Sequence, residues 1–131
     1  MSTTNTPLPQ NSHFISLEQA IAMTTIYRAN RESILAPVYQ GQDILPLSET
    51  FNRQAFDQLL GTPGCAGLRI YYGMDENLKL HAVIVAVNAL NEDLLPPSGN
   101  VPRVSGNGDE VIVEEGQRCP PICPDSSPLT I

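Results

Sequence analysis

Tryptophan is absent from the 131 residues, and lysine occurs once, at Lys79. Seven bases face 14 acids, a formal net charge of −7. A surface of that sign repels phosphate backbones and anionic headgroups, which argues against nucleic-acid and membrane partners. No apolar run approaches the roughly 18 residues that a membrane-spanning helix requires. The opening stretch, MSTTNTPLPQNS, has neither a basic n-region nor an apolar h-region, so no secretory leader is expected. Cysteine is sparse and odd in number, at Cys65, Cys119 and Cys123. That usage fits a reducing, cytoplasmic setting better than an exported disulfide scaffold.

What is present is unevenly distributed. Residues 1–90 hold seven acids and five bases, whereas 91–131 hold seven acids, two bases and seven of the 12 prolines. Low hydrophobicity with high net charge cannot offset the entropy of ordering a chain. The expected organisation is a disordered N-terminus over 1–12, a folded domain over 13–90, a linker over 91–109, an additional strand over 110–115, and an extended Cys/Pro-rich tail over 116–131.

Within the domain, Ser16 and Gln19 form a capping box, and the spacing predicts a helix over 14–35. Leu17, Ala20, Ile21, Thr24, Tyr27 and Ile34 supply its buried stripe, with Arg28, Arg31 and Glu32 off it. Pro37 ends the helix. A shorter helix follows Asn52. Phe51 staples onto Phe56, Ala55, Leu59 and Leu60 complete the buried face, and Gly61 terminates it. Two β-rich runs, 68–72 and 78–88, flank GMDEN and read as a hairpin pairing Tyr72 with Leu78. The second run is apolar on both faces along Val83–Val87, the pattern of an interior strand. A third strand is therefore expected from DILPL (43–47) or EVIVEE (110–115), with Pro46 pushing the former toward an edge. The fold class is α+β: two helices packed on a small antiparallel sheet built around a β-hairpin, with an extended proline-rich C-terminal tail.

No catalytic set emerges. Cys65 sits among small residues in GTPGCAGL, and only His13 and His81 could activate it, so a buried structural thiol is the favoured reading. The close pair Cys119 and Cys123 lacks the further ligands of a zinc site, MDEN is too short for a calcium loop, and SGNGDE is no phosphate loop, so neither metal nor cofactor is implied. Arg69, Tyr71, Lys79 and His81 share one end of the hairpin as a candidate anion site, set against a simpler reading as a solvated sheet face. The acid pairs Asp75–Glu76, Glu92–Asp93 and Glu114–Glu115 read as solvated charge.

The tail RCPPICP invites two readings. With trans prolyl bonds, Cys119 to Cys123 runs as polyproline II and holds the two Cα atoms roughly 12 Å apart, too far for a disulfide. The thiol pair can close only through a cis proline or a sharp turn. In the extended form, Arg118, Pro121 and Pro124 have the basic-x-x-Pro-x-x-Pro spacing that proline-recognition grooves bind. The stretch GCAGLRIYYGMDENLKLHAVIVAVN, with LPLSETF before it and the cysteine–proline tail after it, resembles small uncharacterised bacterial proteins of the Bacteroidetes type. That resemblance implies a bacterial, non-enzymatic protein and transfers no functional residue. The leading expectation is a non-enzymatic protein-binding or assembly module displaying a stiff tail to a protein partner or to itself. The alternatives are a thiol or metal protein, or a modified peptide, using Cys119 and Cys123, and a small anionic-ligand binder using the hairpin.

Overall fold

Ser16 opens the first helix, α1 (Leu17–Asn30), as the capping pattern requires: its hydroxyl accepts from Gln19 N–H, and the Gln19 side chain accepts from Ser16 N–H. These contacts come from a computed structural model of the chain, which describes residues 7–96 and 112–130. The described residues fall into two compact units, one built of 7–10, 51–73, 82–96 and 112–115, the other of 11–50, 74–81 and 116–130. Both combine short helices with antiparallel strands, so the class is α+β.

In the second unit α1 ends earlier than its spacing predicts, and turns replace helix over 31–34. Ala20, Ile21, Thr24 and Tyr27 are half-buried, but Leu17 and Ile34 are exposed. The missing apolar anchors are replaced by polar ones. Tyr27 donates its hydroxyl to Pro46 O at 2.6 Å, and Arg31 donates Nε to Leu45 O at 2.8 Å while pairing with Asp43 at 3.1 Å. Arg31 thus belongs to the inner face, contrary to the expectation that it lies off the stripe. A 3-10 turn at Pro37–Tyr39 follows. DILPL forms no strand; Asp43 takes a positive φ, and Ile44 is buried. Instead β1 (Ser48–Thr50) pairs antiparallel with β5 (Gln117–Cys119), placing Ser48 opposite Cys119 and Glu49 opposite Arg118. This second sheet was not anticipated, because each of its strands has only three residues.

The first unit holds α2 (Arg53–Leu60), preceded by Asn52 and closed by Gly61, with the Phe51 and Phe56 rings 5.7 Å apart as the expected staple. Its sheet has the order β2 (Gly67–Met74), β3 (Leu80–Val87), β4 (Ile112–Val113), the hairpin's turn end belonging with the other unit. EVIVEE therefore supplies the third strand, Val113 opposite Ile84 and Ile112 opposite Val85; its first two residues lie outside the described ones. Ile84, Val85, Ala86 and Val87 are all buried, so both faces of β3 are covered, as an interior strand requires. Gly67 lies close against Leu8: a Cβ there would meet Leu8 Cδ2 at 3.1 Å, so a larger residue requires that side chain to shift.

The hairpin turns later than expected. Its connection is 75–79, closed by Asp75 N–H donating to Lys79 O, rather than GMDEN with Tyr72 facing Leu78. Asp75 builds this turn itself: its Oδ1 accepts from Asn77 N–H at 2.8 Å and Lys79 N–H at 3.1 Å, while Leu78 takes the positive φ. The aspartate outcompetes Gly73 as the turn former.

The tail departs most from expectation. Cys119 and Cys123 form a disulfide with Cα atoms 4.7 Å apart. The expected polyproline II conformation assumed trans prolyl bonds, whereas Cys119–Pro120 and Pro120–Pro121 are both cis. The N-terminal arm is likewise engaged where described, Leu8 N–H donating to Ala89 O at 3.0 Å; residues 1–6 lie outside the described residues. Of the expected linker, 91–96 form a turn and a bridge between Asp93 and Val87, while 97–109 lie outside the described residues. No described helix is long and apolar enough to cross a membrane.

Leu59 is the one fully buried side chain of α2. Leu59→Ala is expected to cost about 2–5 kcal/mol, read from the midpoint of urea unfolding.

Candidate functional site

Three polar clusters gather the residues that the sequence singles out. The first is built on β2, whose alternation sends Arg69 and Tyr71 to one face. Both grip Asp93: Arg69 Nη1 donates to Oδ1, and the Tyr71 hydroxyl donates to Oδ2. Arg69 Nη2 also donates to the Asn91 backbone and side-chain oxygens. Asp93 is presented by a turn that Asn88 organises, its Oδ1 accepting from Leu90 and Glu92 N–H, both at 2.9 Å. The hydrogen bond to the Asp93 carboxylate, with some loss of solvation, holds the Tyr71 hydroxyl above the usual tyrosine range. Arg69 and Tyr71 thus bind a carboxylate, and it is the chain's own.

His81, from the start of β3, lies in the second cluster. Its Nε2 stands 2.8 Å from Asp75 Oδ2, and its Nδ1 is 3.8 Å from Glu49 Oε2. An ionised carboxylate only accepts, so Nε2 carries the proton directed at Asp75. His81 is therefore an imidazole flanked by two acids rather than the neighbour of Arg69 that a Tyr72–Leu78 register would make it. Lys79 contributes its backbone N–H to Asp75. The four residues of the candidate anion site accordingly serve two separate carboxylates, Asp93 and Asp75, which sequence reading assigned to solvent.

The third cluster surrounds the disulfide. Arg118 points inward, its Nε donating to Leu80 O at 3.0 Å and its Nη2 to Asp43 O and Ile44 O at 2.8 and 2.9 Å. Its guanidinium is committed within the chain, although sequence spacing makes it the basic anchor of a proline-rich ligand. Cys119 is wholly buried, while Pro121, Ile122, Cys123 and Pro124 are exposed. The result is a closed five-residue loop, Cys119 to Cys123, with its apolar tip facing outward. Cys65 is half-buried rather than buried, its thiol donating to Gly67 O at 3.4 Å. Among the described residues no group of three or more His, Cys, Asp or Glu side chains is placed to hold a metal ion.

Asp93, Glu49 and the Asp75 turn were missed by sequence reading. Only the Asn88–Asp93 stretch carried a local signal, an asparagine placed to accept from the amides after it. No protein-family model, curated protein or solved structure matches the chain.

Two outcomes follow from this chemistry. The hydrogen bond with His81, aided by the Lys79 and Asn77 amides, holds the Asp75 carboxyl below the usual carboxylate range. A carboxyl depressed in the folded state adds stability above its unfolded pKa and loses it as pH falls through the folded one. Asp75→Asn should therefore narrow the stability difference between neutral and strongly acidic solution, and carbon-detected NMR should find the wild-type Asp75 midpoint below that of a free aspartate. Thiol counting on denatured, untreated protein should find one free thiol, Cys65, rising to three after reduction.

Proposed function

We propose that this chain is a non-enzymatic protein-binding module whose contact element is the loop closed by Cys119 and Cys123. The observation that carries the reading is the loop's construction. Cys119 is anchored in β5 and fully buried, yet Ile122 beyond it is 54% exposed between Pro121 and Pro124. A side chain of that size held outward on a cross-linked loop has little conformational freedom left to lose on binding, so a partner gains its burial at low entropic cost. The stiffness comes from ring closure and proline rather than from polyproline II, and Arg118 serves to seat the loop through its three carbonyl contacts instead of meeting the partner.

A second reading draws on the same pair. One sulfur belongs to a buried residue and the other to an exposed one, so a thiolate from solvent would attack at Cys123 and release Cys119. Such a disulfide would make the loop's presentation depend on redox conditions.

The experiment compares proteins captured by the full chain, by Ile122→Ser and by the full chain after mild reduction, each checked for folding by circular dichroism. The loop reading expects a discrete partner that is lost with Ile122→Ser. Identical partner lists for the folded variant and the wild type would sink it. Loss on reduction alone would favour the redox reading.

A further inference from the structure

The strand order leaves β2 at the edge of its sheet, and among the described residues no further strand lies beyond it. Proteins blunt such edges with lysine, proline, bulges, inward charges or short strands. β2 has eight residues without lysine or proline, and its single charge, on Arg69, is balanced by Asp93. Its other face carries Leu68, Ile70 and Tyr72, and the cover of the sheet gives out there: Ile84 on β3 is 2% exposed, but Ile70 is 52% and Tyr72 76%. The helix α2 packs against β4, on the opposite side of the sheet order from β2.

The strand is also largely symmetrical in kind. Gly67-Leu68-Arg69-Ile70-Tyr71-Tyr72-Gly73 has a glycine three places to either side of Ile70 and a large apolar residue, Leu68 or Tyr72, two places to either side, while Arg69 and Tyr71 differ. An antiparallel copy centred there sets Gly67 against Gly73, Leu68 against Tyr72, Arg69 against Tyr71, and Ile70 against its own mate. Every pairing joins residues of the same face, as a two-fold axis normal to the sheet demands. The apolar row continues across the junction, and each arginine meets an aromatic ring instead of another cation. In a chain of net charge −7, this strip adds no charge for a second copy to repel.

We propose that β2 is a self-association edge, on which a second copy of the chain pairs antiparallel about Ile70 to make a six-stranded sheet. The proposal is independent of the loop reading, since it uses no residue of 116–130. Seven residues a side fall well short of the roughly 20–30 of a standard interface, so the dimer is weak, with a dissociation constant on the order of 10–100 μM.

Sedimentation equilibrium of the full chain across a concentration series should show a monomer–dimer exchange. Ile70→Lys, which sets two like charges face to face, should weaken it about tenfold or more, whereas Ile26→Lys on the exposed side of α1 should not. Because Ile70→Lys could disturb folding, a second variant keeps the side chain small and neutral. In a Cys65→Ser background, Ile70→Cys should cross-link into a covalent dimer under mild oxidation, and Leu68→Cys, which faces Tyr72, should do so far less. A chain monomeric throughout, a dimer indifferent to Ile70→Lys or lost with Ile26→Lys, or equal cross-linking from both cysteines would each overturn the proposal.

Discussion

The second unit depends on the guanidinium of Arg118. Residues 43 and 44 belong to no strand or helix, so their carbonyls have no ladder to join, and the carbonyl of Leu80 lies where β3 begins. Backbone acceptors removed from water must find donors, and one side chain reaches all three, sharing Ile44 O with a backbone amide. The planar fork makes this feasible where an ammonium would not, because its donors are fixed in direction. The hydrogen bond from Leu80 N–H to Ile44 O, 2.8 Å long, closes the same junction from the other side. With β5 seated in this way, β1 gains its only strand partner among the described residues, and the adjoining Cys119 is drawn inside.

Much of the architecture was legible because local rules decide it. The Ser16–Gln19 capping box, the Phe51–Phe56 staple and the terminating Gly61 are written within a few residues of one another, and each is present. The two-faced apolar run of β3 announced an interior strand, and the two candidates for its neighbour included the right one. What stayed hidden depends on distance along the chain. Arg31 and Arg118 look like surface charges until carbonyls 14 to 75 residues away claim them. Two strands of three residues carry too little periodicity to announce a sheet, and only their mutual pairing defines them.

The polar clusters were half legible. Arg69, Tyr71 and His81 were singled out on a register that made them neighbours of one another, whereas Arg69 and Tyr71 meet Asp93 and His81 meets Asp75. The actual turn is set by the Asp75 carboxylate accepting two amides, a competition between side chains that glycine-based turn rules do not weigh. Once the turn moves, the acids that composition assigns to solvent become the partners: Asp93 for the β2 pair, Asp75 and Glu49 for His81. An acidic chain thus uses several of its carboxylates as internal acceptors, and among the described residues Arg31, Arg69 and Arg118 are committed to such carboxylates or to backbone carbonyls.

The disulfide acts over a short stretch of chain. Its cysteines are four positions apart, and a cross-link over so short a span removes only a small part of the freedom of the unfolded chain, about 2 kcal/mol on the loop-closure argument. The buried side chains of Leu59, Ile84, Val85, Ala86 and Val87 lie in the unit that contains neither cysteine of the pair, while Ile44 and Cys119 itself are buried in the other. The cross-link is therefore suited to set the shape of one short loop, anchored at the buried Cys119 and open to solvent at Cys123.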